Sequence, residues 1–169
     1  VHGWIGIETK DEIMNSESLW NHVRAGFVGM STWLFYGPFA GKNHSMIWAH
    51  WQDGRIIKST KYEIFKKVVN NVNGGKYVDI DMPNSAVTAA FIKGNILSVW
   101  ILNKSQDDLK NVEFRLGGRK IKGSSIEYTV WNENLPKYGS SKELTNMTQK
   151  SFKQTIGAES LYFFKVEVE

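Results

Sequence analysis

The sequence changes character at residues 70–75, NNVNGG. On the amino-terminal side, short apolar runs alternate with segments whose apolar residues recur every three or four positions, which is typical of alternating strands and helices. On the carboxyl-terminal side, apolar residues recur every second position, which is typical of strands. The asparagines and glycines between the two patterns favour a turn, and Gly74 is suited to end a helix. We therefore predict two parts, residues 1–75 and residues 76–169.

The carboxyl-terminal part predicts an antiparallel β-sandwich. Six or seven short alternating segments, separated by turns rich in Gly, Pro and Asn, are typical of that fold. The clearest predicted strands cover residues 77–82, 87–92, 96–102, 112–116, 126–131 and 161–168. Gly94 and Asn95 lie between two of these strands and predict a tight hairpin.

The amino-terminal part begins with a predicted strand and helix. Residues 3–7 are short and apolar, as in a strand that is buried on both faces, and residues 9–12 are a polar loop. Asn15 or Ser16 is suited to cap the helix that follows. The apolar stripe of this helix comprises Leu19, Val23, Phe27 and Met30.

A second strand and helix follow. Residues 31–36 are β-branched and aromatic, which predicts a strand, and a long loop then runs to Ser59, with a short strand possible at residues 46–51. The spacing of Thr60 and Glu63 predicts a capping box at the start of the second helix. Its predicted apolar face comprises Tyr62, Phe65, Val69 and Val72.

Composition indicates a globular protein. The 169 residues are 41% hydrophobic and 13% aromatic, which is enough for a sizeable core. Lysine and arginine number 21 against 17 acidic residues, and because both parts share the excess, we predict no nucleic-acid partner. The apolar stretches are far shorter than the roughly 18 residues of a membrane span, so we predict no membrane partner. The absence of cysteine excludes disulfides and thiolate nucleophiles.

The four histidines do not predict a metal site. The nearest pair, His44 and His50, lacks the close spacing of two ligands on one helix. We therefore expect neither a metal ion nor another cofactor.

Glu8 ends the first predicted strand, a position suited to a catalytic carboxylate. A solvated glutamate after a strand has the same pattern, so that alternative stays open.

The first 51 residues also hold all four histidines and five of the seven tryptophans. Pyranose rings stack on indole rings, and a loop histidine can hydrogen-bond sugar hydroxyls, although plain packing also explains buried aromatic residues. The candidates for sugar contact are Trp33, Trp48, Trp51 and His50. Trp20 and Trp100 are predicted to be core, and Trp131, at a strand end, is a weaker sugar candidate.

The order of these segments resembles the carboxyl-terminal part of retaining (β/α)8-barrel glycoside hydrolases of the agarase, xylanase and glucanase type. The similarity rests on residues 6–9 (GIET), 32–36 (TWLFY) and 54–68 (GRIIKSTKYEIFKKV), followed by a β-sandwich. This resemblance implies an α/β plus all-β fold. Residues 1–75 would be the last two βα units of a TIM-barrel-like catalytic domain, and residues 76–169 an accessory β-sandwich domain.

The resemblance also implies roles for particular residues. Glu8 matches the nucleophile at the end of the seventh barrel strand, and Trp33 matches the aromatic residue at the end of the eighth. Retaining hydrolysis needs a second carboxylate about 5–5.5 Å away as acid and base. In these barrels it ends the fourth strand, so we expect it in a preceding barrel segment of the same protein, and the isolated chain is expected to be inactive. Asp11, Glu12 and Glu17 are interpreted as loop and first-turn carboxylates.

The predicted function is that of the carboxyl-terminal fragment of a polysaccharide-degrading hydrolase. Its partner would be a polysaccharide or oligosaccharide, and the resemblance implies a secreted or periplasmic location. Whether the protein is an enzyme depends on the rest of the polypeptide. Two alternatives stay open: a non-catalytic carbohydrate-binding module, and a structural β-domain whose aromatic beginning packs against it. The βα order and the capping-box helix favour the hydrolase, because a plain sandwich needs neither.

Overall fold

The computed structural model describes residues 9–24, 47–49, 55–81 and 86–169. The helices in these segments are α1 (Thr9–Met14), α2 (Glu17–Arg24) and α3 (Thr60–Val72). The strands are β1 (Ile47–Ala49), β2 (Ile56–Lys58), β3 (Lys76–Val78), β4 (Ala86–Lys93), β5 (Ile96–Asn103), β6 (Leu109–Arg115), β7 (Ile126–Trp131), β8 (Ser140–Leu144), β9 (Ser151–Ile156) and β10 (Ser160–Glu167). Within these segments no helix is long and apolar enough to cross a membrane.

Antiparallel pairing dominates the carboxyl-terminal part. Six strands form one sheet in the order β3-β4-β5-β10-β7-β8, and β6 pairs with β9 in a second sheet. The β4–β5 hairpin turns at Gly94 and Asn95, and Gly94 has a φ of +60°, so the predicted hairpin is confirmed.

One face of the six-stranded sheet packs against β6 and β9. At the centre of this interface the ring of Phe164 lies 5.0 Å from that of Phe114 and 5.3 Å from that of Phe152. Val99, Ile101 and other residues at alternating positions of the central strands belong to the same buried cluster. The two sheets therefore form a sandwich with one core between them, as the period of two predicts.

The opposite face of the same sheet packs against the helices. Trp100 of β5 is fully buried there, with its ring 4.8 Å from that of Trp20 on α2 and 4.4 Å from that of Phe163 on β10. Ile64 and Val68 of α3 complete the contact. The central strands are thus buried on both faces. Trp20 and Trp100 are core residues as predicted. Trp131 is also core, so its alternative role as a sugar contact is wrong.

Three local predictions need correction. Residues 9–12 begin α1 and are not a loop, because the carboxylates of Asp11 and Glu12 suit a first helical turn and the apolar Ile13 is buried. Strand β8 was not predicted, because its sequence SSKEL is a mostly exposed, polar edge. Strand β9 was not predicted either, because polar residues separate its two buried side chains, Phe152 and Ile156.

The start of α3 is shifted by one residue from the prediction. Ser59, whose backbone is extended, is the N-cap, and its hydroxyl accepts the N–H of Tyr62 at 3.0 Å. Thr60 is the first helical residue, so the predicted capping box is wrong. The buried face moves accordingly: Ile64 and Val68 are buried, whereas Val69 is 42% exposed. Phe65 and Val72, from the predicted face, are only partly buried.

Other predictions concern the rest of the amino-terminal part. Helix α2 begins directly after Ser16, and β1 lies within the short strand predicted at residues 46–51, so the start of the helix and the strand are confirmed. The Ser16 hydroxyl is buried without a hydrogen-bond partner among the described residues, so it does not cap the helix. The predicted strands at residues 3–7 and 31–36 lie outside the described residues. The barrel portion of the predicted fold class therefore stays a prediction.

Candidate functional site

The predicted site residues fall mostly outside the described segments. Glu8, Trp33, His50 and Trp51 are not described. Trp48 is the middle residue of β1, where it is paired with Ile57 of β2. The site that these residues would form stays a prediction, and the structure describes the elements that adjoin it in sequence.

Helix α1 begins at Thr9, the residue after Glu8, and it carries a buried carboxylate. The side chain of Glu12 is almost fully buried, with the residue only 6% exposed, and its Oε2 accepts the backbone N–H of Lys61 at 3.3 Å. Lys61 lies in the first turn of α3 and is 2% exposed. A carboxylate from α1 therefore satisfies a backbone donor of α3, across a separation of 49 residues.

The amino terminus of α3 is buried as a unit. Ser59 and Thr60 are both buried, as is Lys61. The first N–H groups of any helix lack partners within the helix. Here the Ser59 hydroxyl accepts one, from Tyr62, and the Glu12 carboxylate accepts another, from Lys61. The carboxylate also lies at the positive end of the helix dipole, where a negative charge is favoured.

Burial shifts the pKa values of both Glu12 and Lys61. Desolvation raises the pKa of Glu12 above its ordinary value, although the hydrogen bond from Lys61 and the charges of Lys61 and Lys137 act in the opposite direction. Desolvation lowers the pKa of Lys61, and the charge of Glu12 opposes that shift. Each group is thus displaced toward its neutral form, the expected effect of low polarity around an ionisable pair.

Ion pairs join α1 and α2 to the loops of the sandwich. Lys10 Nζ lies 2.6 Å from the Glu159 carboxylate, which raises the pKa of Lys10 through a hydrogen bond. Glu17 pairs with Lys104. These pairs are partly exposed, so they orient the helices more than they stabilise them.

Glu12 lies in the first turn of a helix, as predicted. Its burial was not predicted. A first-turn glutamate is ordinarily solvated, and no local pattern reports a contact with a residue 49 positions away. Asp11, its neighbour, is exposed as expected. Across the described segments, no group of three or more His, Asp or Glu side chains could hold a metal ion.

No protein-family model and no curated protein matches the sequence. Solved structures do match the fold. A GH30 endoxylanase from Clostridium papyrosolvens C71 is similar over 99% of this chain and 41% of its own, with a TM-score of 0.70 and 15% identity. A GH51 α-L-arabinofuranosidase with bound arabinose is similar over 100% of this chain and 28% of its own, with a TM-score of 0.72 and 15% identity. A conserved exported protein from Bacteroides fragilis matches 93% of this chain and 34% of its own, with a TM-score of 0.68 and 11% identity.

The chain therefore has a glycoside hydrolase-like fold, and its antiparallel sheets match the carboxyl-terminal β-sandwich of such enzymes. At these identities the likeness concerns the fold alone. The chain spans between 28% and 41% of the length of these three structures.

Proposed function

We propose that this chain is the carboxyl-terminal part of a polysaccharide-degrading glycoside hydrolase that acts by the retaining mechanism, with Glu8 as its nucleophile. The observation that supports the proposal best is the extent of the structural match, which covers 99% and 100% of this chain in the two hydrolases. A likeness restricted to a common β-sandwich would leave the amino-terminal part unmatched. The position of Glu8 directly before α1 is compatible with a strand-end carboxylate.

The proposal assigns different roles to the two parts of the chain. Residues 1–75 contribute the last two βα units of the barrel, with Trp33, Trp48, Trp51 and His50 around the bound sugar, and residues 76–169 form the accessory β-sandwich. The acid and base carboxylate comes from the remainder of the barrel, so this chain alone does not hydrolyse glycosides. The enzyme acts outside the cytoplasm, in agreement with the description of one structural neighbour as an exported protein.

The structure gives less support to a sugar-binding module built on the sandwich. Its two tryptophans, Trp100 and Trp131, are both buried, and so is Trp20 on the helical layer. A binding module needs aromatic faces that a sugar can reach, and in the described part of the sandwich the exposed large aromatic side chains are Tyr77 and Tyr138 and not the tryptophans. Among the described residues, the helices cover the sheet face on which such a platform would stand.

Activity tests the proposed function directly. The longest in-frame polypeptide that contains this chain would be assayed on a panel of polysaccharides, beginning with xylan and arabinoxylan because of the activities named for the structural neighbours. We expect hydrolysis by the wild type and its loss in Glu8→Gln. Glu143→Gln, an exposed change on β8, is the matched control and should leave activity intact. Full activity of Glu8→Gln would contradict the proposed nucleophile.

Azide distinguishes a nucleophile from a structural glutamate. Glu8→Gly removes the attacking carboxylate and leaves space on that face of the anomeric carbon. Azide can then form the bond to this carbon while the leaving oxygen departs with the proton of the acid, and the product is a glycosyl azide of inverted configuration. We expect azide to restore turnover of an activated aryl glycoside in Glu8→Gly. Lost hydrolysis without restoration by azide would indicate a structural role.

A further inference from the structure

A buried carboxylate close to Glu8 in the sequence has no part in the mechanism proposed above. Glu12 lies four residues after Glu8 and one turn into α1, and it is almost fully buried against the amino terminus of α3. The described groups that act on it include the first-turn backbone of α3, the side-chain charge of Lys61 and, from the β7–β8 connection, the charge of Lys137. Its carboxylate therefore connects α1 to the amino terminus of α3 and lies within the electrostatic reach of the β7–β8 connection.

We propose that Glu12 is a positioning residue, which fixes the start of α1 against the amino terminus of α3 and thereby sets where the Glu8 carboxylate stands. The inference rests on the proposed function, because it concerns the same nucleophile. Glu8 is bonded directly to Thr9, the first residue of α1, so we expect a displacement of the first turn of α1 to move residue 8 as well. A misplacement of about 1 Å can lower a catalytic rate by about 100-fold.

The contact requires a carboxylate and not merely a polar side chain. The backbone N–H of Lys61 donates to Glu12 Oε2 at 3.3 Å, the backbone of Thr60 also acts to lower the pKa of Glu12, and an ionised carboxylate has two acceptor oxygens. A glutamine has the same shape but only one acceptor oxygen, and its NH2 group would face a backbone donor. Glu12→Gln therefore keeps the packing and removes half of the connection to α3.

Stability alone is a weak reason for this arrangement. Taking two charges out of water has a large free-energy cost, and well-packed apolar residues of similar volume are often as stabilising as a buried ion pair. Desolvation is the main cause of both pKa shifts, upward for Glu12 and downward for Lys61. What the pair adds over an apolar contact is a defined register between α1 and α3, because hydrogen bonds fix geometry where apolar contacts allow sliding.

Kinetics of Glu12→Gln in the hydrolytically active polypeptide test this role. We expect kcat to fall by about 30-fold to 100-fold with KM changed by less than about twofold. Asp11→Asn, an exposed carboxylate change in the same turn, is the matched control and should keep the wild-type kcat. Glu12→Gln/Lys61→Met, which also removes the buried lysine charge, is the second variant, and thermal unfolding would confirm that both are folded.

The azide reaction separates positioning from general damage. In a Glu8→Gly background, azide diffuses to the anomeric carbon and no longer depends on where the residue 8 side chain stands. We therefore expect Glu12→Gln to change the azide-dependent rate by less than about threefold while it lowers the hydrolytic rate of the intact enzyme far more. Equal losses in the two reactions, or a wild-type kcat in Glu12→Gln, would overturn the positioning role.

These outcomes also distinguish the two proposals. If Glu8→Gln is inactive and Glu12→Gln is unchanged, only the positioning role fails. If Glu8→Gln keeps full activity, the proposed function itself fails and the role of Glu12 fails with it.

Discussion

Gly139 lies where the connection from β7 returns to β8, pressed against a buried tryptophan. A Cβ atom at this position would stand 2.8 Å from the Trp131 ring and 2.8 Å from Cγ2 of Thr129. Its φ of +78° is in the left-handed region, and its N–H donates to the carbonyl of Pro136 at 2.7 Å. The Trp131 ring stacks with that of Trp100 at 6.1 Å. The missing Cβ of Gly139 therefore allows the loop to pack directly against the core under the helices.

Substitution of Gly139 by alanine should be more destabilising than the same change at an open site with the same backbone. Gly74 has a φ of +76°, and a Cβ atom there would meet nothing within 4 Å, so it is the matched control. We expect Gly74→Ala to lower the free energy of unfolding by about 1–2 kcal/mol through the backbone alone. Gly139→Ala should add about 1–3 kcal/mol from steric overlap. Urea unfolding measures both, and equal losses would contradict the close approach to Trp131.

At the scale of elements, the amino terminus of α3 is where α1 and α3 are joined. Ser59, the residue directly before the helix, accepts one of its first N–H groups, and Glu12 of α1, which is distant in sequence, accepts another. The Thr60 hydroxyl is buried and has no hydrogen-bond partner among the described residues. Two adjacent hydroxyl residues therefore have different roles, which sequence alone does not separate.

Paired substitutions distinguish the two hydroxyls. Ser59→Ala removes the acceptor for the Tyr62 N–H and should lower the free energy of unfolding by about 1 kcal/mol. Thr60→Val has nearly the same shape and removes only an unsatisfied hydroxyl, so we expect a change within about 0.5 kcal/mol or a small gain. Thermal or urea unfolding gives both values. A larger loss for Thr60→Val than for Ser59→Ala would restore the capping box at Thr60.

The Glu12–Lys61 pair should appear in the pH dependence of stability. Burial lowers the pKa of Lys61 below 10.5, so between the lowered value and 10.5 the unfolded chain binds more protons than the folded protein. The free energy of unfolding contributed by this group must then rise with pH across that window. We expect the difference between wild type and Lys61→Met to rise from neutral pH toward 10.5 and to level off above it.

Lys66→Met, which removes an exposed lysine from the same helix, is the control for the loss of one charge. Urea unfolding over a series of pH values measures each difference. A flat or falling difference for Lys61→Met would show that the lysine is not desolvated in the folded protein.

At the scale of the whole molecule, the six-stranded sheet is shared between two cores. One core lies between the sheets and the other lies between the sheet and the helices. Trp100, Leu161 and Phe163 point toward the helices and are fully buried. The described part of the amino-terminal half therefore covers a face that an independent β-sandwich would expose to water.

A polypeptide restricted to residues 76–169 should accordingly be deficient in folding. Burial of a large apolar side chain is worth about 1.5–3 kcal/mol, and several such side chains on this face together approach the whole stability of a domain. We expect this polypeptide to bind a hydrophobic dye, to associate in size-exclusion chromatography and to exchange the amide hydrogens of β5 faster than the 169-residue chain. A monomer with undiminished β5 protection would contradict the shared core.

The sequence predicts those parts of the fold whose signals are local. Gly94 and Asn95 mark the β4–β5 turn, and the period of two marks most of the sandwich, because both reflect backbone geometry within a few residues. The polar edge strand β8 lacks that signal. The burial of Glu12 depends on a residue 49 positions away, and no local pattern encodes it. For the site itself, Glu8 and its aromatic neighbours are predicted by position and resemblance, and their geometry stays a prediction.

The most direct test of retaining catalysis by Glu8 is to find which residue becomes covalently attached to the sugar. A 2-deoxy-2-fluoro glycoside with a good leaving group, based on the sugar identified by the polysaccharide panel, should trap the glycosyl-enzyme in the active polypeptide. Trypsin cleaves after Lys10 and Arg24, and Glu8 is the only acidic residue in positions 1–10, whereas Asp11, Glu12 and Glu17 fall in the next peptide. Fragmentation mass spectrometry should place the adduct on Glu8 itself, within the peptide that ends at Lys10. An adduct on any other peptide, or inactivation without an adduct, would contradict the assignment of Glu8 as the nucleophile.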